Sequence, residues 1–108
     1  MFRTIRALCI LFWAAHAQAQ HFVVAPELWD RPRSARAVLG DAAVKQAVSG
    51  YLAQPAVRLV IHHNAAQESM LQAEELRSWL IALAVEPQRI ALLRDLESGA
   101  GIRMEVVR

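Results

Sequence analysis

The hydrophobic positions of this chain change spacing several times, and each change predicts a new element. Residues 22–26 are β-branched and aromatic, which favours a short first strand. From about residue 33 to residue 53 the apolar side chains recur at helical spacing, with Gly40 and Asp41 as a possible break or re-start within the helix. Pro55 comes directly after this pattern and ends the helix.

The second half of the chain repeats this change from strand to helix. Residues 57–62 alternate over a run that is apolar enough for a buried strand. A second helix is predicted from about 67 to 84, and Gln72 shares the face of its apolar stripe. The stripe is formed by Leu76, Trp79, Leu80 and Leu83. Residues 89–93 and 102–107 predict a third and a fourth strand, separated by a turn that contains glycine.

The order of these predicted elements is β-α-β-α-β-β. Alternating strands and helices that end in two successive strands favour an α/β fold of the α+β type. We therefore expect a two-layer sandwich in which two helices pack on one mixed, four-stranded sheet. The sequence contains no internal repeats and no low-complexity linker.

The first residues of the chain have the pattern of an export signal. Arg3 and Arg6 form a basic start, a short apolar run follows, and an Ala-Gln-Ala pattern ends at Ala19. The apolar run is too short to span a bilayer. An amphipathic first helix is the alternative, but the run is apolar on every side. We therefore expect a signal peptide over 1–19 and a domain over 20–108, with no transmembrane segment after cleavage.

Cleavage changes the charge and the cysteine content of the protein. The chain has 12 basic and 10 acidic residues, and the two signal-peptide arginines account for the whole excess. A net charge near zero argues against a nucleic-acid footprint. Cys9 is the only cysteine and is removed with the signal, so neither a disulfide nor thiol chemistry is expected. One small exported domain without disulfides suits a bacterial periplasm.

Two segments carry a resemblance to a known family. "QAEELRSWLIALAVEPQRI" resembles the second helix and following turn of OmpA-like domains, and "IRMEVV" resembles their terminal strand. The likeness extends, less specifically, over nearly the whole chain after the signal. It implies the same β-α-β-α-β-β fold. In typical members an Asp and an Arg hold the diaminopimelate part of peptidoglycan through charge-assisted hydrogen bonds.

Both of those anchors are replaced in this chain. Gln72 occupies the place of the Arg, and the Asp falls at Ala66, or at Ala65 in the alternative alignment. The loop that follows the second strand is also shorter than in typical members. Arg103 matches one Arg of the terminal motif, whereas Ala84 replaces the Gly that usually ends the second helix. The resemblance thus implies a retained fold and a degenerate ligand site.

The expected function is therefore a non-catalytic binding module of the periplasm, free or associated with the outer membrane. We expect it to recognise an envelope protein, with peptidoglycan binding weak or absent. The alternative is a peptidoglycan-binding module with altered contacts. By resemblance, the candidate ligand-binding residues are His63, Asn64, Gln72 and Arg103. No catalytic residue, cofactor or metal is expected.

Two adjacent histidines, His62 and His63, raise a third hypothesis, a metal-binding protein that also uses His21. Neighbours on a strand point to opposite faces, so the pair is not expected to converge on one ion. Carboxylates at ligand spacing are also lacking nearby in the sequence, and Glu68 is the closest candidate. Metal binding is therefore the third of the three hypotheses.

Overall fold

The computed structural model describes residues 20–108, and within them the predicted order of elements is confirmed. The strands are β1 Gln20–Val23, β2 Arg58–His63, β3 Ile90–Arg94 and β4 Arg103–Val107. The helices are α1 Ala35–Gly40, α2 Ala42–Ala53 and α3 Gln67–Ala82. Short 3-10 turns occupy Pro26–Asp30 and Pro87–Arg89. The predicted signal peptide, residues 1–19, lies outside the described residues.

The four strands form one mixed sheet in the order β1-β4-β2-β3. The last strand, β4, pairs antiparallel with β1 on one side and with β2 on the other. β2 and β3 run parallel, and α3 is the crossover between them. The predicted α+β sandwich on a mixed four-stranded sheet is thereby confirmed.

The helices cover one face of this sheet. α2 packs against β1 and β4, and α3 packs against β2 and β3. Alternate strand residues, Leu59, Ile61, Met104 and Val106, are turned towards the helices and fully buried. On the opposite face, Val23 and Leu93 are 66% and 46% exposed. We call this opposite side of the sheet the open face.

The first predicted helix is in fact two helices, α1 and α2, which meet at Asp41. The Asp41 carboxylate accepts hydrogen bonds from the backbone N–H groups of Ala43 and Val44 and so caps the start of α2. It also accepts a bond from the N–H of Ala25, which ties the end of β1 to the helix layer. Asp41 thus marks a re-start rather than a simple kink. None of the helices within residues 20–108 is long and apolar enough to cross a membrane.

The end of α3 requires a left-handed residue, and alanine occupies that position. Ala84 has φ of 79°, a conformation that favours glycine. Its N–H bonds the carbonyl of Ile81, and the N–H of Val85 bonds the carbonyl of Leu80. This pair of bonds is a Schellman motif, whose left-handed position is usually glycine. The helix consequently ends at Ala82, two residues before the predicted end.

Replacing Ala84 by glycine should therefore stabilise the protein. Relief of left-handed strain outweighs the added freedom of the unfolded chain, so we expect a gain of about 0.5 kcal/mol. This corresponds to a rise in Tm of roughly 2–4 °C in a thermal melt. Ala82→Gly is the matched control, because Ala82 is helical and exposed. It should lower stability by about 0.5–1 kcal/mol; equal effects of the two changes would contradict the strain argument.

Candidate functional site

Four polar side chains meet on the open face of the sheet. His62 lies on β2, Glu105 on β4 and His21 on β1, and Asp95 directly follows β3. The strand register brings them together, because His21 is opposite Glu105 and Val60 is opposite Glu105 on the other side. His62, two residues beyond Val60, therefore shares its face. We call these four residues the histidine–carboxylate cluster.

The His62 ring lies between two carboxylates. Its Nδ1 is 2.8 Å and 2.9 Å from the two carboxylate oxygens of Asp95, and its Nε2 is 2.7 Å from Oε1 of Glu105. His21 approaches the same carboxylate, with Nε2 3.9 Å from Oε2 of Glu105. His62 is buried although it lies on the open face, since only 5% of it is exposed. The hydrogen bond to His62 holds the pKa of Asp95 below its ordinary value.

Arg103 lies on this same face, next to His62. The two residues are directly opposite each other in the β2–β4 pair. Its Nε is buried and has no hydrogen-bond partner among residues 20–108. Gln72, by contrast, belongs to α3, which packs on the other face. Arg103 and Gln72, both predicted to bind ligand, are therefore not brought into one site.

His63 and Asn64 are buried on the helix side and form the turn that leads into α3. Nδ1 of His63 donates to the carbonyl of Asn64, and the backbone N–H of Asn64 donates to the hydroxyl of Ser69. The Asn64 side chain accepts from the N–H of Ala66 and donates to the carbonyl of Ala100. These bonds use the polar groups of Asn64 inside the protein. The structure thus places these two predicted ligand-binding residues in the packing of a short loop.

Gln72 is half-buried and lines two adjoining clefts. The larger, of about 440 Å³, lies between α3 and the 3-10 turn that follows β1. The smaller, of about 270 Å³, lies at the loop between β2 and α3 and also borders Asn64. Glu68 and Gln72 line both. We call the two together the Gln72 cleft.

An ion pair forms one wall of this cleft. Arg33 donates from Nε and Nη2 to the two carboxylate oxygens of Glu75, at 2.8 Å and 3.1 Å. Nη1 of Arg33 donates to the carbonyls of Trp29 and Arg31, and the guanidinium lies 5.5 Å from the centre of the Trp29 ring. Trp79 donates from Nε1 to the same carboxylate. The hydrogen bond from Arg33 lowers the pKa of Glu75, and burial opposes this shift.

Comparison with known proteins assigns no family. No family model, curated protein or solved structure matches the chain. The similarity to OmpA-like domains, which rests on the helix-turn segment and the terminal strand, stays a prediction from the sequence.

The sequence interpretation missed the histidine–carboxylate cluster. The expectation that His62 and His63 point to opposite faces is confirmed. Carboxylates at ligand spacing are lacking near His62 in the sequence, but in the fold Asp95, which follows β3, and Glu105 on β4 both contact it. Glu105 lies 43 residues further along the chain than His62. Predicting that the two residues meet would have required the strand order, in which β4 lies between β1 and β2.

Proposed function

We propose that this chain is a non-catalytic binding module of the bacterial cell envelope, of a degenerate OmpA-like type. It is exported to the periplasm and binds a segment of an envelope protein in the Gln72 cleft. The observation that carries the proposal is the charge of that cleft. Its carboxylates exceed its available cations, so it favours a segment with a basic side chain.

The carboxylates of Asp30 and Glu68 account for this charge. Both line the larger part of the cleft, and both side chains are exposed. Among residues 20–108 neither forms an ion pair. The guanidinium of Arg33 lies in the same wall, but Glu75 and two backbone carbonyls already occupy it. A basic ligand group would therefore find a carboxylate, whereas a ligand carboxylate would have to displace Glu75.

Apolar side chains beside these carboxylates would bind the rest of the segment. Leu71 lines the cleft and is 59% exposed, and the neighbouring Met70 is 36% exposed. Val24 and Ile102 form a buried apolar floor. Large apolar side chains exposed beside polar ones are typical of protein contact surfaces. The preferred partner is therefore a peptide segment that carries a basic residue next to an apolar one.

The second candidate is peptidoglycan bound through altered contacts. Gln72 could still hydrogen-bond a stem-peptide carboxylate, but without the strength that charge adds. Arg103 could not assist, because it lies on the other face of the sheet. The free carboxylates could bind an amino group of diaminopimelate, and this contact favours the candidate. The missing cation for the stem-peptide carboxylate places it second to an envelope protein.

Site-specific photocrosslinking in the producing bacterium would test the proposal. A photoreactive amino acid at Leu71, inside the cleft, should crosslink to a discrete protein. The matched position is Leu52, which is 63% exposed on α2 and lines neither part of the cleft; it should give no such product. Glu68→Lys should reduce the Leu71 crosslink by about fivefold, the equivalent of losing one exposed ion pair. Glu74→Lys, on the exposed side of α3, should leave it unchanged.

Sedimentation with purified sacculi distinguishes the second candidate. The exported protein, whose expected first residue is Gln20, should remain in the supernatant. Pelleting that free diaminopimelate abolishes would replace the protein-binding proposal by the peptidoglycan one. Equal crosslinking from Leu71 and Leu52, or none from either, would also overturn the proposed cleft.

A further inference from the structure

Three metal-ligating side chains converge on the open face, on the other side of the sheet from the Gln72 cleft. His21, His62 and Glu105 each offer one ligand atom, and these three atoms all lie within 4.8 Å of one another. They come from three strands, β1, β2 and β4, whose mutual register the sheet fixes. The convergence is therefore a property of the folded sheet and not of a local sequence motif.

The separations are close to those that a metal ion requires. Zinc binds histidine nitrogen and carboxylate oxygen at about 2.0–2.2 Å, so two ligands of one ion lie roughly 3–4 Å apart. Oε1 of Glu105 lies 2.7 Å from Nε2 of His62, just below this range, and Oε2 of Glu105 lies 3.9 Å from Nε2 of His21, within it. The side chain of His21 is 45% exposed on an edge strand, so a small change of its rotamer can bring Nε2 to bonding distance of the ion.

Asp95 orients the His62 ring by bonding the ring nitrogen that does not face Glu105. Its carboxylate receives Nδ1 of His62 at 2.8 Å, which favours the proton on Nδ1 and leaves Nε2 to act as the ligand. Metal-binding histidines usually donate their second ring nitrogen to such a carboxylate, which fixes the ring orientation. The ring orientation is restricted further because neighbouring side chains bury His62, which is only 5% exposed.

We propose that His21, His62 and Glu105 bind one late first-row divalent cation of the Zn²⁺ type, with Asp95 as a positioning residue. Two imidazoles and one carboxylate suit zinc or copper better than magnesium or calcium, which prefer oxygen ligands alone. The ion would lie between Nε2 of His62 and Oε1 of Glu105, which are 2.7 Å apart. Three protein ligands leave at least one coordination position for water, on the side where His21 is exposed. This site is independent of the proposed partner cleft.

Calorimetric titration of the metal-free, tag-free protein with Zn²⁺ tests the site directly. We expect saturable binding of one ion per chain. His21→Ala and Glu105→Gln should each weaken the affinity by more than about tenfold, because each removes a ligand, and Asp95→Asn should weaken it by roughly tenfold. Val23→Ala is the matched control, since Val23 lies on the same strand and face two residues from His21. It should leave the affinity unchanged.

Cobalt absorption gives a second readout that protein unfolding would not imitate. Co²⁺ should give visible bands of a tetrahedral or five-coordinate nitrogen and oxygen site, and Zn²⁺ should displace them. His21→Ala is the decisive variant because His21 is exposed, so its loss should not unfold the protein. Absence of saturable binding in the wild type would overturn the proposal. Unchanged binding in both His21→Ala and Glu105→Gln would do the same, since the ion would then lie elsewhere.

Discussion

Replacing Asp41 by alanine should lower the free energy of unfolding by about 2–4 kcal/mol. The Asp41 carboxylate accepts three backbone hydrogen bonds, from Ala25, Ala43 and Val44, and only 9% of the residue is exposed. Alanine would remove the cap of α2 and leave a backbone donor at the end of β1 without a partner. Urea unfolding monitored by circular dichroism would measure the loss.

The matched control for this prediction is the cap of α1. Ser34 accepts one hydrogen bond, from the N–H of Ala37, and the bond is exposed. Ser34→Ala should therefore cost about 0.5–1 kcal/mol, because water can replace the lost hydroxyl. Asp41→Asn, which keeps one carbonyl oxygen, should lie between the two alanine variants. Equal losses from Asp41→Ala and Ser34→Ala would show that burial of the Asp41 bonds adds nothing.

The second large effect is expected from Leu76→Ala in α3. Leu76 is fully buried in the core between this helix and the sheet. Removing a buried leucine side chain costs about 2–5 kcal/mol, from lost transfer energy and from the cavity that remains. In a domain of this size that is a large share of the total stability. Thermal and denaturant unfolding should both report it, with a lower midpoint and little change in the denaturant slope.

Leu71 provides the comparison within the same helix. It is 59% exposed, so Leu71→Ala should change stability by no more than about 0.5 kcal/mol. The same variant should weaken the proposed partner contact in the Gln72 cleft. A similar loss of stability in the two variants would mean that α3 is seated differently on the sheet.

Hydrophobic spacing was sufficient to predict the order of the elements, because a half-buried sheet and an amphipathic helix leave different periods in the sequence. The observed strand bounds differ from the predicted ones by at most three residues, most of all at β1, which ends at Val23 because Pro26 begins a 3-10 turn. Gly40 and Asp41 did mark the division of the first helix. The bonding of Asp41 to Ala25 could not be predicted, since the two residues meet only after the layers pack.

The site was harder to predict for the same physical reason. A pair such as His62 and His63 is visible in sequence, but the partners of His62 come from β3 and β4, far along the chain. The resemblance placed Arg103 and Gln72 at one ligand site. In the structure the side chain of Arg103 lies on the open face of the sheet, whereas Gln72 belongs to α3 on the opposite face. Asn64 was predicted to bind ligand by resemblance, and in the structure its side chain bonds the backbone of Ala66 and Ala100.

The position of β4 has a consequence for how this protein folds. The strand nearest the end of the sequence lies in the middle of the sheet, and β1 pairs with it alone, through partners as distant as Gln20 and Val106. The residues of α3 and the parallel β2–β3 pair can associate without β4, but the sheet cannot close before Arg103–Val107 joins it. Such distant pairing slows folding, because the loop must close before the contacts form. Until β4 joins the sheet, β1 has no strand to pair with, and the pairing of β4 completes both the β1 edge and the histidine–carboxylate cluster in one step.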